Sequence, residues 1–127
     1  MSFLRTKSRR DPDPIGTHEI TLVVVERASE TVVTVTGRVM MESSPYLRSL
    51  LLRMLKNRRS TAIDIDMARV TYLDTSGIAT LLEALKLSRS NSVKLRLAGI
   101  SAQPKVLAEI TELAAVFAAA GSEVLFS

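Results

Sequence analysis

The sequence contains no cysteine, no tryptophan and a single histidine, His18. The absence of cysteine excludes disulfide bonds, zinc sites with thiolate ligands and catalysis by a thiol. One histidine, placed before the first apolar run, is typical of a solvated loop and excludes a centre built from several histidines. We therefore expect no metal and no cofactor. The lack of cysteine also suits a cytoplasmic protein, which is the localisation we predict.

Aromatic residues are scarce, with three phenylalanines and two tyrosines in 127 residues. The core must therefore be aliphatic, and a platform that stacks single-stranded nucleic acid is not expected. The 17 lysines and arginines exceed the 13 aspartates and glutamates, but four of these basic residues lie within the first ten positions. The remainder of the chain is close to neutral. The sequence therefore predicts no nucleic-acid partner.

Long apolar runs are also absent, and none approaches the roughly 18 residues that cross a bilayer. The first ten residues are basic but lack the apolar stretch of a secretory signal. We therefore expect no direct insertion into a membrane. The alternating aspartates and prolines at 11–14 keep the backbone extended. The sequence thus predicts a basic flexible tail over 1–16, followed by one domain over 17–127.

Within that domain, hydrophobic periodicity predicts the element order β-β-α-β-α-β-α-β. The predicted strands span 20–26, 31–36, 61–65, 93–98 and 123–126. Gly37 is predicted to end the second strand, and 67–73 to form a connection. Strands separated by helices imply parallel neighbours joined by right-handed crossovers. The fold class is therefore α/β, with a mixed sheet and helices packed mainly on one face.

The three helices follow from apolar residues three and four positions apart. The apolar positions are Leu47, Leu50, Leu51, Met54 and Leu55 in the first helix, Ile78, Leu81, Leu82 and Leu85 in the second, and Leu107, Ile110, Leu113, Ala114 and Phe117 in the third. Ser43 or Ser44 is predicted to cap the first helix, and Pro104 to open the third. On the second helix, the opposite face with Ala79, Thr80, Glu83 and Lys86 is predicted to be exposed.

The segment Asp74-Thr75-Ser76-Gly77 lies where a loop enters the second helix. The first N–H groups of a helix lack partners within it, and its dipole favours negative charge there. One interpretation is purely structural: Thr75 or Ser76 caps the helix, and Gly77 permits a tight turn or a close approach. The other interpretation is a hydroxyl that accepts a phosphate, because helix N-termini tolerate anions. The local sequence leaves both interpretations open.

The stretch 62–82, AIDIDMARVTYLDTSGIATLL, resembles the signature of the STAS domain family. Its features are an apolar strand ending in Asp, a short connection, Asp-Thr-Ser-Gly and an apolar helix. Gly37, the LRLAG strand ending at Gly99 and the third helix are also similar, so the resemblance covers about residues 18 to 126. It implies a mixed sheet with helices on one side.

A stand-alone domain of this length resembles an anti-sigma factor antagonist, a regulatory protein that is not an enzyme. The resemblance implies that it binds an anti-sigma factor with serine/threonine-kinase activity. That kinase would phosphorylate Thr75, directly after Asp74, and a PP2C-type phosphatase would remove the phosphate. The predicted partner-binding residues are Asp74, Thr75, Ser76, Gly77, Ala79 and Thr80, the last two from the helix pattern.

Two features depart from family members that are regulated in this way: the stretch after the second strand, and Thr75 in place of a Ser, which also carries a hydroxyl. Their Gly-Glu-Leu-Asp stretch corresponds here to Gly37-Arg38-Val39-Met40, so Met40 and Arg38 replace two acids. This favours an alternative, a cytoplasmic STAS subunit of a lipid-transporting ABC transporter that maintains outer-membrane lipid asymmetry. Such a subunit would dock on its ATPase without phosphorylation. The domain of a membrane-bound anion transporter is not expected, since the sequence has no spanning segment.

Catalytic alternatives are weaker. Asp-Thr-Ser-Gly differs from the aspartic-protease motif by the interposed Ser76, and an α/β pattern does not suit that class. Asp64 and Asp66, on one face of a strand, could hold Mg²⁺ together with Asp74, although such residues are more often solvated or capping. No phosphate loop of the Walker type is present. The sequence therefore predicts a binding protein without catalytic activity.

Overall fold

The protein is described by a computed structural model that covers residues 3–9, 20–57 and 60–127. The strands are β1 (Phe3–Arg9), β2 (Ile20–Arg27), β3 (Glu30–Val39), β4 (Ala62–Leu73), β5 (Lys94–Ile100) and β6 (Glu123–Phe126). The helices are α1 (Ser44–Asn57), α2 (Thr75–Ser90), α3 (Ala102–Ile110) and α4 (Leu113–Ala119). The predicted α/β class is confirmed.

The six strands form one sheet in the order β1-β2-β3-β4-β5-β6. The first three are antiparallel neighbours, and β3 to β6 run parallel to one another. The parallel pairs are those whose connections contain helices, as crossover geometry requires. The predicted mixed sheet is therefore confirmed, and its two central strands, β3 and β4, end beside the start of α2.

One face of the sheet carries the core. In β2, Ile20, Leu22 and Val24 are buried, whereas Thr21 and Val23 are only half-buried. The same alternation holds over the first part of β3, β4 and β5, up to Val35, Met67 and Ala98 respectively. Because successive side chains of a strand point to opposite faces, the helices cover one face and the other is partly open. This agrees with the predicted packing of the helices.

Several predicted elements match closely. The β2–β3 hairpin turns at residues 28–29, as its β-branched runs indicate. Helix α1 buries Leu47, Leu51 and Leu55 and keeps Leu50 and Met54 partly buried. Ser43, one of the two predicted cap residues of α1, is buried; its hydroxyl accepts the Met40 N–H at 2.9 Å and donates to the Arg38 carbonyl at 2.6 Å, so it fixes the turn before α1. The predicted last strand coincides with β6.

Two predictions about the central strands were wrong. Strand β3 continues past Gly37 to Val39, and β4 continues through the predicted connection to Leu73. The register between them shifts at Thr34/Thr36 and again at Gly37/Arg38. These irregularities break the two-residue alternation: Ala68 and Arg69 are both exposed. A strand with bulges loses the two-residue alternation of buried and exposed side chains, which is the pattern that predicts a strand from sequence.

The third predicted helix is split in two. It begins before Pro104, at Ala102, and is interrupted between Ile110 and Leu113. Glu112 has a left-handed backbone, with φ of 55°, which ends the first helical axis. The break turns Ile110 outward to 73% exposure, whereas Leu113 and Phe117 remain in the core as predicted.

The N-terminal segment differs from the expected tail. Within the range 1–16, residues Phe3–Arg9 form β1 and pair antiparallel with β2, from Phe3 opposite Glu26 to Arg9 opposite Ile20. The paired backbone makes β1 the first strand of the sheet. His18 and the predicted domain start at residue 17 lie outside the described residues.

Candidate functional site

The candidate site is the first turn of α2 and the strand ends beside it. Asp74, not Thr75 or Ser76, is the N-cap residue, and its backbone is extended with φ of −111°. Its Oδ1 accepts hydrogen bonds from the backbone N–H of Ser76 at 2.9 Å and of Gly77 at 3.1 Å. An aspartate in this position satisfies donors that the helix itself leaves unpaired. The predicted capping by a hydroxyl residue was therefore wrong.

Asp74 also joins α2 to the loop after β3. Its Oδ2 accepts the Met41 N–H at 2.9 Å, and its own N–H donates to the Val39 carbonyl at 3.1 Å. Burial opposes ionisation of this carboxyl, but the hydrogen bonds from the Ser76 hydroxyl and from the N–H groups of Gly77, Met41 and Ser76 outweigh it. The pKa of Asp74 is therefore held below its ordinary value. The carboxylate is ionised at neutral pH.

The two hydroxyls after Asp74 have different surroundings. Ser76 is half-buried, and its hydroxyl donates to Asp74 Oδ1 at 2.5 Å. Thr75 is the first residue of α2 and is exposed. Among the residues that the structure describes, its hydroxyl forms no hydrogen bond. Thr75 is therefore the hydroxyl of this turn that another molecule can reach.

Gly77 lies on the inner side of the same turn and is buried. A Cβ built on Gly77 would stand 2.3 Å from Leu73 Cδ1 and 3.0 Å from Val39 Cγ1. The predicted close approach thus exists, but it joins α2 to the ends of β3 and β4. Gly77 supports the surface from below, which differs from the direct partner contact that the sequence suggested.

The exposed face of α2 is narrower than predicted. Ala79, Glu83 and Lys86 are exposed, but Thr80 is only 5% exposed, so its predicted exposure was wrong. Thr80, Ala84 and Ser88 form a second buried row beside the apolar row. Helix α2 packs against α1 as well as the sheet, and the salt bridge Arg48–Glu83, at 2.7 Å, joins the two helices. Because α2 contacts both α1 and the sheet, two rows of its side chains are buried.

Leu82 was predicted to be a core residue, and this was also wrong. It is only partly buried, whereas Leu81 beside it is completely inaccessible to solvent. With α1 on one side and the sheet beneath, Leu82 lies at the edge of the buried arc of α2. The regular spacing of the four apolar residues did not reveal this difference.

Two residues that sequence reasoning missed complete the site. Met41 is 71% exposed and lies beside Asp74, to whose carboxylate it donates its N–H. Gln103 in α3 holds the end of β4, accepting the Leu73 N–H and donating to the Leu73 carbonyl, both at 2.8 Å. Neither residue belongs to a local motif, because both contacts join segments distant in sequence.

The three carboxylates that could have formed a magnesium site are used separately. Asp64 pairs with Arg96 at 2.8 Å on β5, and Asp66 accepts the Ala68 N–H at 3.0 Å. Asp74 caps α2. Within residues 20–57 and 60–127, no three acidic or histidine side chains converge into a candidate metal centre. The geometry therefore gives the magnesium alternative no support.

Comparison with known protein families identifies the family to which the chain belongs. Residues 19–124 match the STAS domain family, which is most of the chain. The chain belongs to the STAS domain family, and the resemblance noted over residues 62–82 is confirmed. Asp74, Thr75, Ser76 and Gly77 thus lie, in a STAS domain, at the junction between a central strand and the helix that follows it.

Solved structures share the fold at low sequence identity. An anti-sigma factor antagonist from Mycobacterium paratuberculosis is 19% identical with a TM-score of 0.72, over 93% of this chain and 90% of its own. The phosphorylated form of the Bacillus cell fate determinant SpoIIAA is 12% identical with a TM-score of 0.61, over 95% and 91%. These likenesses establish a common fold with stand-alone antagonists.

A domain of a membrane transporter has the same fold. The murine anion transporter Slc26a9 is 18% identical with a TM-score of 0.63, over 98% of this chain but 21% of the transporter. In the described part of the present chain, no helix has both the length and the apolar character needed to span a bilayer. The fold alone therefore does not distinguish antagonists from transporter domains, and the site must do so.

Proposed function

We propose that this protein is an anti-sigma factor antagonist that acts by binding and has no catalytic activity of its own. Its partner is an anti-sigma factor with serine/threonine-kinase activity, in the cytoplasm, and its role is in the regulation of transcription. Phosphorylation of Thr75 switches binding off, and a PP2C-type phosphatase switches it on again. The STAS family match and the likeness to two antagonist structures support this assignment.

The observation that carries the proposal is the difference between Thr75 and Ser76. Thr75 is exposed at the first position of α2, whereas the Ser76 hydroxyl is already bound to Asp74. A kinase needs an accessible hydroxyl, and of these two residues Thr75 provides it. SpoIIAA, which shares the fold, is a protein with an unphosphorylated and a phosphorylated form.

A phosphate on Thr75 would act on the surface and not on the fold. It carries a charge of about −1.5 to −2. The N–H groups of Ser76 and Gly77, which could have bound it, already donate to Asp74. The phosphate would therefore remain in solvent beside an ionised carboxylate. Two neighbouring anions would repel an acidic partner surface, and binding to an apolar surface would require the costly removal of their hydration.

The unphosphorylated surface would bind through small and apolar groups. Ala79 is exposed one turn from Thr75, and Met41 extends 71% exposed on the other side of Asp74. The hydrogen bond from Met41 to Asp74 holds the loop after β3 and the start of α2 in one arrangement. A partner that packs over this surface would meet Met41, Thr75 and Ala79 together, with Asp74 and Ser76 fixing their positions.

One observation favours the second candidate, the STAS subunit of a lipid-transporting ABC transporter. Met40 stands where family members regulated by phosphorylation carry an acid, and the neighbouring Met41 is 71% exposed. Two adjacent methionines suit a permanent contact with an ATPase subunit better than a contact that must be reversed. In that case the unmodified Thr75 would lie within the interface.

Phosphate mapping tests the proposal. We expect incubation with the cognate kinase and ATP to place one phosphate on Thr75, detected by mass spectrometry. The variant Thr75→Ala should accept none, and Ser76→Ala, the matched control, should still be phosphorylated. Phosphate on another residue, or none from a kinase that binds the protein, would refute the switch. Stable co-purification with a transporter ATPase, with Thr75 unmodified, would instead establish the second candidate.

A further inference from the structure

A second feature of α2 lies at the end opposite Thr75. The last turns of α2 and the short helix α4 border an open groove of about 510 Å³, within the usual range of small-molecule sites. Its lining is mostly apolar and comprises Leu82, Leu85, Val116, Ala119 and Ala120, together with Lys86 and Arg89. Val116 remains 43% exposed. The groove thus leaves apolar surface uncovered next to two cations.

The charge at this groove is of one sign. Lys86 and Arg89 lie three residues apart on α2, so their side chains are neighbours on one face of the helix. No acidic side chain lines the groove. Elsewhere Arg48 pairs with Glu83, and Arg96 pairs with Asp64 and Glu123. Within the part of the chain that the structure describes, Lys86 and Arg89 form no such pair.

We propose that this groove binds a single-chain amphiphile with a carboxylate head, a ligand of the fatty-acid class. The acyl chain would lie against Leu82, Val116 and Ala119, and the carboxylate would be held by Lys86 and Arg89. Apolar surface removed from water would supply most of the affinity, and the paired cations would supply the preference for an anionic head. This site is separate from Thr75 and does not depend on the proposed switch.

The dimensions of the groove favour one chain. Helix α4 has seven residues, so this wall is about 10 Å long. An acyl chain of a membrane phospholipid extends over about half of the roughly 30 Å hydrocarbon core, so a wall of two turns covers only part of one such chain. The open side of the groove lets the remainder of the chain extend into solvent. Added methylenes should therefore strengthen binding only until the wall is covered.

Titration of the full chain with sodium octanoate, decanoate and dodecanoate, below micelle formation and followed by amide chemical shifts, tests the proposal. We expect saturable shifts confined to 82–90 and 113–121. Affinity should rise by up to about fourfold for each methylene that is buried. The double variant Lys86→Gln/Arg89→Gln should lose at least tenfold in affinity, and Val116→Glu should also lose at least tenfold.

Matched controls separate site effects from general effects. Arg53→Gln/Lys56→Gln removes the same charge from exposed positions on α1, and Val106→Glu places an acid at an exposed apolar position on α3. Both should bind dodecanoate as the parent does. Dodecyltrimethylammonium binding as tightly as dodecanoate would overturn the proposal, as would unchanged affinity in Lys86→Gln/Arg89→Gln. Binding only to vesicles of anionic phospholipid would also overturn it.

Discussion

The two ends of α2 differ in how they are held. At its start, one carboxylate engages three backbone N–H groups, and a glycine packs within contact of two core side chains. At its far end, the side chains beside α4 leave an open groove with two cations. A rigid turn can present a hydroxyl for modification without rearranging. An open groove, in contrast, gains stability when something fills it. The two proposals thus place two kinds of recognition on the same helix.

The largest effect should come from the buried side of α2. Leu81→Ala should lower the free energy of unfolding by about 2–5 kcal/mol, because Leu81 is fully buried. Leu82→Ala should cost clearly less, since Leu82 is only partly buried. Chemical denaturation of the two variants measures both. Equal losses would contradict the assignment of Leu82 to the edge of the core and to the groove.

A methyl group added at Gly77, in the first turn of α2, should lower the free energy of unfolding somewhat less than Leu81→Ala does. Gly77→Ala places a Cβ 2.3 Å from Leu73 Cδ1, so the helix or the strand end must shift. We expect a loss of about 1–3 kcal/mol, as for other overpacked cores. The matched control is Ala79→Ser, which changes the exposed side of the same turn. If the melting temperature of Gly77→Ala equals that of the parent, the turn is less tightly packed than described.

The next-largest loss of stability should come from removing the N-cap residue of α2, Asp74. Asp74→Ala removes the acceptor of the Ser76, Gly77 and Met41 N–H groups and should cost about 0.5–2 kcal/mol. Asp74→Asn keeps an accepting oxygen for the helix N–H groups and should cost less. Urea titration at neutral pH compares them. An Asn variant as unstable as the Ala variant would show that the charge matters more than the cap.

The lowered pKa of Asp74 predicts that the stability of the protein depends on pH. Folding lowers the pKa of Asp74 below its ordinary value of 3.8. The stabilisation that the ionised carboxylate provides is therefore fully present above pH 3.8, and it is lost as the pH falls through the lower pKa of the folded state. The stability difference between the parent and Asp74→Asn should therefore shrink below about pH 4. A difference that stays constant from neutral to acid pH would contradict the lowered pKa.

Of the substitutions considered, Ala79→Arg should have the smallest effect on stability but a large effect on partner binding. Ala79 is exposed, so Ala79→Arg should change the free energy of unfolding by less than about 0.5 kcal/mol. The bulk and charge of arginine should nevertheless weaken partner binding, through steric conflict and desolvation. Thermal melts and a pull-down with the anti-sigma factor measure the two effects. Normal binding by a stably folded Ala79→Arg would remove this face from the contact surface.

The contrast between Thr75 and Thr80 illustrates what the sequence could predict. The fold class, the hairpin and α1 followed from local periodicity, which packing on one side of a sheet imposes. The motif at Asp74 predicted where α2 begins. Thr80, however, was assigned to the exposed face, because one apolar stripe predicts one buried neighbour. Helix α1 is a second neighbour, and no periodicity within α2 indicates it.

The central strands show a related limit. The second half of β4 lacks the two-residue alternation that predicts a strand, since Met67, Val70 and Leu73 are buried at intervals of three. Two register shifts against β3 produce that spacing. The role of Met41 was missed for a different reason, since its hydrogen bond to Asp74 joins residues 33 positions apart. Contacts of this kind depend on tertiary structure and leave no local pattern.

In the proposed switch, a phosphate on Thr75 changes the surface of the protein without changing its fold. The most direct measurement compares protein phosphorylated at Thr75 with unmodified protein, by calorimetric titration against the purified anti-sigma factor and by amide chemical shifts. We predict at least a tenfold loss of affinity, with shift changes limited to the start of α2 and the Met40–Met41 loop. Equal affinity of the two forms, or shift changes throughout the core, would contradict the claim.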